Sequence, residues 1–262
     1  MVNDQKPATG EVHPGSSTFV YQSLFGPMVL NRHDRFIGRA IQDQGCWAMR
    51  EILLLSGVLR RKLKSRKTVA VYDVGANVGA YTLPLAKAFG DRIRIRAFEA
   101  QSRILDMLQQ TLSLNAVGTV SCHHLAVSDA DGATLEIRLP DYKHENNFGG
   151  LELMEAERSD NSDMRWSGLT EFVRTVCLDT FDETVDLIKI DVEGMEHRVL
   201  KGAMNILSKH RPVCLVEILK TDRPMVMNLF QELNYHGYRQ SDELIAVPAE
   251  ESWTFPGLEQ IF

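Results

Sequence analysis

The chain has 262 residues, of which 44% are hydrophobic, and this is enough for one large domain or two small ones with a proper core. Its formal net charge of -6 disfavours a nucleic-acid partner, because phosphate neutralisation supplies most of that non-specific affinity. No apolar run approaches the roughly 20 residues that span a bilayer, and the scattered cysteines lack any paired spacing.

The start of the chain predicts a flexible tail over residues 1–33. Its first residues are polar and rich in Pro, Gly and Ser, without the charged and then apolar layout of a signal peptide, and we expect a cytosolic protein. Residues 34–67 predict a helical entry segment, because apolar residues recur at helical spacing on both sides of Gly45. The basic run Arg60–Lys67 then complements the carboxyl end of a helix dipole, or contacts an anionic substrate or partner.

The hydrophobic period changes after residue 67. Strand-like segments alternate with helices of ten to fifteen residues, in the order "TVAVYDVG", "GAYTLPLAKAF", "IRIRAFEA", "SRILDMLQQTLSLN" and "VSCHHLAVSD". After a long polar segment over 144–168, the alternation resumes with "VDLIKID", a helix over 196–207, "PVCLVEIL", a helix over 224–233, and a closing hairpin around "GYRQ" and "ELIAV". This order predicts an α/β Rossmann-like domain over 68–262, with a mostly parallel sheet, a terminal antiparallel hairpin and helices on both faces.

Acidic residues follow the predicted parallel strands at their carboxyl ends, where open sheets bind ligands. They are Asp73, Glu99, Asp129 after Ser128, Asp191 with Glu193, and Glu217. Any one of them alone is equally well explained as a helix cap or a solvated strand end. Together they would repel a pyrophosphate, but they suit a ligand with an amine, a sulfonium charge and ribose hydroxyls.

The turn after the first of these strands reads "VYDVGANVGAY". It has glycines at 75 and 79, but Asn77 stands where a dinucleotide-binding loop needs its second glycine for close approach to a pyrophosphate. A cofactor without phosphate does not need that approach. A P-loop is excluded, because no Gly-Lys-Ser/Thr follows the turn.

S-adenosylmethionine fits this pattern of residues. Its carboxylate can meet amides at the start of the following helix, near Gly79 to Thr82. Glu99 lies twenty residues after Gly79, a separation at which an acidic residue on the second strand reaches ribose hydroxyls. That spacing alone does not distinguish NAD from an adenosine cofactor without phosphates.

Several motifs together resemble the FkbM family of S-adenosylmethionine-dependent methyltransferases, which are mostly O-methyltransferases of sugars and secondary metabolites. They are "DVGANVGAYTLPLA", "AFEA", "LAVSDADG", "NNFGG", "LIKIDVEGMEHRVLKGA" and "LVEI". The similarity runs from about residue 34 to about residue 247. The first motif is shared by many methyltransferases, whereas its combination with "KIDVEGMEHRVLKGA" is specific.

The resemblance implies a role for each matching residue. The methionine part of the cofactor would be bordered by Asp73, Gly75, Asn77 and Gly79. Glu99 would bind ribose, Ser128 and Asp129 would line the adenine, and Asp191 would face the transferred methyl group. The family often has Glu-Pro where this chain has Glu99-Ala100, which changes the stiffness of the turn. The helical segment and the loop over 146–150 would cover the acceptor pocket.

The acceptor implied is a small molecule with a hydroxyl group, which has to lose a proton during transfer. Asp191, Glu193 and Glu217 are the candidate catalytic residues, and we prefer Asp191 as the base or the group that orients the acceptor. Glu193 is also explained as an acid at a helix start. No metal is assigned, since no cluster has convincing ligand spacing.

Two alternatives remain open at this stage. One is a nicotinamide-dependent oxidoreductase, against which Asn77 counts. The other is a cofactor-binding protein that has lost catalysis, which the intact acids at the strand ends disfavour. The acceptor itself and the oligomeric state cannot be derived from these residues.

Overall fold

A computed structural model of the chain describes residues 10–11, 16–153, 164–255 and 257–262. The strands are β1 (Gly10–Glu11), β2 (Thr18–Ser23), β3 (Gly26–Asn31), β4 (Val69–Val74), β5 (Ile93–Glu99), β6 (Val120–His124), β7 (Ala126–Val127), β8 (Thr134–Pro140), β9 (Trp166–Val176), β10 (Leu187–Ile190), β11 (Val213–Glu217), β12 (Tyr235–Gln240), β13 (Glu243–Pro248) and β14 (Glu259–Gln260). The helices are α1 (Ile37–Gln44), α2 (Met49–Lys62), α3 (Thr82–Phe89), α4 (Ser102–Leu114), α5 (Glu196–Lys201), α6 (Met204–Lys209) and α7 (Arg223–Glu232). None of the described helices has the length and apolar character that a bilayer crossing requires.

The central sheet has eight strands in the order β14-β12-β13-β11-β10-β4-β5-β6. Strands β11, β10, β4, β5 and β6 run parallel, whereas β13 is antiparallel to both β11 and β12. The predicted Rossmann-like α/β fold with a terminal antiparallel hairpin is therefore confirmed. The strand order reverses between β4 and β10, which opens a crevice at the carboxyl ends of these two strands.

Helices cover both faces of this sheet because its central strands are apolar on both sides. Tyr72 and Ile188 point to one face, where they pack with residues of α5, α6 and α7. Val71 and Leu187 point to the other face, where α2 and α3 supply the packing partners. The crevice therefore lies at the carboxyl ends of strands that are packed by helices on both faces.

The strand predicted over "VSCHHLAVSD" is wrong in its second half. Of this segment, only β6 belongs to the main sheet. Strand β7 pairs with β9 in a separate three-stranded sheet, in the order β7-β9-β8. The chain leaves the main sheet because Ala126 is buried among Ile137 and Val173 of that smaller sheet. Consequently Ser128 and Asp129 follow β7 and do not lie at the tip of a main-sheet strand.

The N-terminal part of the chain also differs from the expected tail. Strands β2 and β3 form a hairpin within the range 1–33, and β1 pairs with β2. The hairpin is ordered because Met28, Val29 and Leu30 are buried, and the Val29 amide donates to Thr111 Oγ1 of α4 at 2.9 Å. The rest of the predicted tail, residues 1–9 and 12–15, lies outside the described residues.

The helical entry segment consists of α1 and α2, which are separated at Gly45 as the periodicity predicts. Gly45 ends α1 with φ of 81°, a conformation that glycine adopts without steric cost. In the basic run, Arg66 forms an ion pair of 3.0 Å with Asp186, and Lys62 forms one of 2.7 Å with Glu251. Two residues of the basic run therefore form ion pairs within the chain.

The helix predicted over 196–207 is divided into α5 and α6. The division lies at Gly202, where a Cβ atom would come within 2.1 Å of the carbonyl oxygen of Ser128. The close approach of this backbone requires glycine. The polar segment over 144–168 is described only at its two ends, because residues 154–163 lie outside the described part of the chain.

Candidate active site

A cavity of about 290 Å³ lies at the carboxyl ends of the central strands, across the point where the strand order reverses. Six of the residues that the sequence predicts for the site line it: Gly75, Asn77, Glu99, Asp191, Glu193 and Glu217. Ligands of doubly wound sheets bind at this position. The structure therefore brings together the acids at the carboxyl ends of β5, β10 and β11.

The other five predicted residues do not line the cavity. Asp73 is 2% exposed and Thr82 is fully buried, and the Thr82 hydroxyl donates a hydrogen bond of 2.6 Å to Asp73 Oδ2. Their hydrogen bond joins β4 to the start of α3. Gly79 packs on α4, because a Cβ there would lie 2.6 Å from Leu108.

Ser128 and Asp129 lie beside α5, apart from the cavity. Ser128 Oγ donates to Asp129 Oδ1 at 3.2 Å, and Arg198 Nη1 lies 3.3 Å from the same oxygen. The neighbouring residues Ala126 and Val127 line the cavity instead. The adenine contact that the resemblance implies for Ser128 and Asp129 stays a prediction.

The glycine turn after β4 packs directly on the end of β10. Gly75 has φ of 76°, and a Cβ there would lie 1.8 Å from the carbonyl oxygen of Asp191. Asn77 also has a positive φ of 50°, a conformation in which asparagine is enriched. Its Oδ1 accepts a hydrogen bond of 2.8 Å from the Val78 amide. Backbone conformation is thus a second reason for asparagine at this position.

Glu99 is held in place by backbone amides on both of its oxygens. Oε2 accepts from Asn77 N at 3.0 Å, and Oε1 accepts from Gln101 N at 2.9 Å. Burial raises the pKa of Glu99 above its usual value, and these two amide hydrogen bonds act in the opposite direction. Each carboxylate oxygen keeps a second lone pair for a ligand hydroxyl.

Asp191, Glu193 and Glu217 form an acidic cluster at the opposite half of the cavity. One carboxylate oxygen from each lies within 4.8 Å of the other two. Burial first, and then the nearby carboxylates of Asp191 and Glu193, raise the pKa of Glu217 to about 9. Burial followed by the charge of Asp191 raises the pKa of Glu193 to about 7, although Lys220 opposes this shift.

A divalent cation could bridge carboxylate oxygens at this spacing, but clusters of this kind are common without one and we assign no metal. Burial and the neighbouring carboxylates raise the pKa of Glu217 and so favour its protonated form, which lowers the negative charge of the cluster. Glu217 Oε2 is buried and has no hydrogen-bond partner. A ligand group in the cavity can provide that partner.

Lys189 is a cavity residue that the reasoning from sequence missed. Its Nζ donates to the Gly75 carbonyl oxygen at 2.8 Å and lies 3.3 Å from Asp191 Oδ2 and 3.5 Å from Asp73 Oδ1. Burial lowers the pKa of Lys189, but the charges of Asp191 and Asp73 outweigh burial and raise the pKa above its usual value. The available signal was one lysine within the otherwise apolar strand "LIKI".

Lys220 is a second missed cation, and it connects the acidic cluster to the polar loop. Its Nζ lies 2.8 Å from Glu193 Oε2 and 3.3 Å from Glu152 Oε1. Gln101 fixes the same loop at another point, since its Nε2 donates to the Phe148 carbonyl oxygen at 2.9 Å. The described part of the loop is therefore tied to both halves of the cavity.

The upper wall of the cavity comes from the entry segment and from this loop. Phe36, Ile37 and Trp47 line it from one side, and Asn147 and Gly149 line it from the other. These are the two regions that the resemblance implies as a cover for the acceptor pocket.

Comparison with known proteins shows the family. The profile of the family described as "Methyltransferase FkbM domain" matches residues 73–239, which is more than half of the chain. The chain is similar to "Methyltransferase sdnD" of Sordaria araneosa, with 28% identity over 159 aligned positions, and the match covers 50% of this chain and 59% of that protein. The matched region thus spans about three fifths of the length of that relative.

Among solved structures, the chain is similar to methyltransferase FkbM from Methylobacillus flagellatus. The identity is 19% and the TM-score 0.49, and the match covers 69% of this chain and 44% of that one. It is also similar to precorrin-6y C5,15-methyltransferase from Geobacter metallireducens, at 12% identity and a TM-score of 0.41, over 74% of this chain and 86% of that one.

Proposed function

The chain belongs to the FkbM methyltransferase family, and on that premise we propose that it transfers a methyl group from S-adenosylmethionine to a hydroxyl oxygen of a sugar, a glycoside or another metabolite. The observation that carries the proposal is the cavity across β4 and β10, which has Glu99 at one half and the acidic cluster at the other. One group faces the cofactor and the other faces the acceptor.

The residues around the glycine turn fit the cofactor. Gly75 packs so closely on the Asp191 carbonyl oxygen that position 75 has no room for a side chain. Glu99 is preoriented by two amides and is the residue that would hold the ribose hydroxyls. When bound, S-adenosylmethionine supplies an electrophilic methyl group on a sulfonium.

The residues at the other half would orient and deprotonate the acceptor. Asp191 lines the cavity as an ion-paired carboxylate, so its oxygens can accept the proton of an acceptor hydroxyl. The raised pKa of Glu217 favours its protonated form, which is suited to donate a hydrogen bond to a second acceptor oxygen. Positioning of reacting groups in this way supplies on the order of 7 to 11 kcal/mol of a barrier.

Incubation with methyl-labelled S-adenosylmethionine and a panel of sugars, glycosides and hydroxylated metabolites tests the proposal. Mass spectrometry of the products should locate the label on an oxygen atom. A matched panel in which each hydroxyl is already methylated should remain unlabelled. Label that appears only on nitrogen or carbon would contradict oxygen as the acceptor atom, and absence of label from every compound would count against the proposed class of acceptor.

A further inference from the structure

Lys189 lies below the cavity with its ammonium group surrounded by acceptors. It is 4% exposed, and its Nζ contacts the Gly75 carbonyl oxygen, Asp191 Oδ2 and Asp73 Oδ1 within 2.8 to 3.5 Å. The aromatic ring of Tyr81 covers it, with 5.0 Å between Nζ and the ring centroid. The ammonium group donates a hydrogen bond to the Gly75 carbonyl oxygen and forms ion pairs with the two carboxylates.

These partners belong to two different parts of the site. Gly75 starts the turn that follows β4, whereas Asp191 follows β10, the neighbouring parallel strand. Lys189 precedes Asp191 by two residues, and side chains at this spacing share a face of a strand. One side chain therefore links the turn that faces the cofactor to the carboxylate that faces the acceptor.

The charge state of Lys189 excludes it as a base. The carboxylates of Asp191 and Asp73 favour its protonated form despite its burial, and its Nζ already donates to the Gly75 carbonyl oxygen. Lys189 contributes to the cavity wall, but it is only 4% exposed and its Nζ is engaged by Gly75 and by the Asp191 carboxylate. Its effect on the reaction is therefore assigned to its contacts with these two residues.

We propose that Lys189 is a positioning residue that fixes the Gly75 carbonyl group and the Asp191 carboxylate relative to each other, and so keeps the cofactor-binding turn in its binding conformation. The inference rests on the proposed function, since it assigns the turn to the cofactor. Without the ammonium group, the Gly75 carbonyl loses its partner and two carboxylates face each other without a counter-charge.

Lys62 provides a matched control for a buried lysine. It is 8% exposed and pairs with Glu251 at 2.7 Å, but it does not line the cavity. Lys62→Met and Lys189→Met both remove a buried ammonium group and keep the length of the side chain. A loss that is specific to Lys189→Met therefore reports on the site rather than on the removal of a buried charge.

Isothermal titration with S-adenosylhomocysteine tests the proposal. This ligand has no sulfonium charge, so its affinity depends less on the net charge of the site than that of S-adenosylmethionine. We expect at least tenfold weaker binding in Lys189→Met, partial recovery in Lys189→Arg, which keeps the charge and the donors, and a change below twofold in Lys62→Met. Melting temperatures of all variants are measured in parallel.

Binding by Lys189→Met within twofold of the wild-type affinity would overturn the proposal, as would an equal loss in Lys62→Met. If Lys189→Met does not fold, Lys189→Gln replaces it; this variant lacks the charge and one bond of length, and the same tenfold loss is expected. Failure of the wild-type protein to bind S-adenosylhomocysteine would instead contradict the proposed function, which keeps the two failures distinguishable.

Discussion

The backbone amide of Asn77 donates a hydrogen bond of 3.0 Å to Oε2 of Glu99. This contact joins the glycine turn after β4 to the tip of the neighbouring strand β5. The same carboxylate lines the cavity, so Glu99 both holds the turn and faces the ligand. Loss of its side chain should therefore affect cofactor binding and stability together.

Glu99→Ala is expected to weaken S-adenosylmethionine binding at least about tenfold, or about 1.4 kcal/mol. It should also destabilise the fold by about 1–3 kcal/mol, because buried amides of Asn77 and Gln101 lose their acceptor. Calorimetric titration and thermal unfolding measure the two effects. Glu183→Ala is the control, since Glu183 accepts a hydrogen bond from the Tyr72 hydroxyl and does not line the cavity. Equal losses of affinity in both variants would contradict a specific role of Glu99 in cofactor binding.

Gly75→Ala is expected to damage the site and lower the melting temperature. The left-handed conformation costs an alanine about 1–2 kcal/mol, and its Cβ would overlap the Asp191 carbonyl oxygen. Gly57→Ala is the matched control, because Gly57 lies within α2 and a Cβ there meets nothing within 4 Å. That variant should gain about 0.5–1 kcal/mol. A Gly75→Ala protein as stable as the wild type would contradict the close contact between Gly75 and the Asp191 carbonyl oxygen.

Asp191→Asn is expected to bind the cofactor and to lose turnover by about 10²–10⁴-fold, because an amide cannot accept the proton of the acceptor hydroxyl. Titration with S-adenosylhomocysteine and steady-state kinetics with a hydroxyl acceptor that the labelling panel identifies give the two values separately. Glu193→Gln, at the adjacent cavity position, should lower turnover less. Near-normal turnover of Asp191→Asn would eliminate Asp191 as the base, and lost binding would make it a cofactor ligand.

Glu217→Gln is expected to stabilise the protein increasingly as pH rises from about 5 to about 9. The pKa of Glu217 is raised in the folded protein to about 9, so the folded state binds a proton that the unfolded state has released. Ionisation of Glu217 therefore destabilises the fold across this pH range. The gain should reach at least about 1 kcal/mol near pH 8 relative to pH 5. Unfolding curves at both pH values measure it, and a gain independent of pH would contradict the raised pKa.

The order of strands and helices could be predicted from the sequence because hydrophobic period is a local property. The confirmed hairpin of β12 and β13 follows the same rule. The break between β6 and β7 could not be predicted, because it depends on the burial of Ala126 among residues of β8 and β9 that are distant in sequence. Because of this break, Ser128 and Asp129 follow β7 of the smaller sheet and not a strand of the main sheet.

The acidic half of the site was predictable because Asp191, Glu193 and Glu217 each follow a strand of a parallel sheet. The cations that hold these acids were not predictable. Lys189 stands within an apolar strand, and its partners Gly75 and Asp73 lie more than a hundred residues away. Asn77 shows a similar limit, since its positive φ is set by the packing of the turn on Glu99 and the end of β10.

Calorimetric titration of the wild-type protein with S-adenosylhomocysteine and, separately, with NAD tests the central claim most directly. We expect saturable binding of S-adenosylhomocysteine in the micromolar range, which Glu99→Ala weakens. We expect no binding of NAD, because the turn at Asn77 lacks the glycine that a pyrophosphate requires. Saturable binding of NAD without binding of S-adenosylhomocysteine would contradict S-adenosylmethionine as the cofactor.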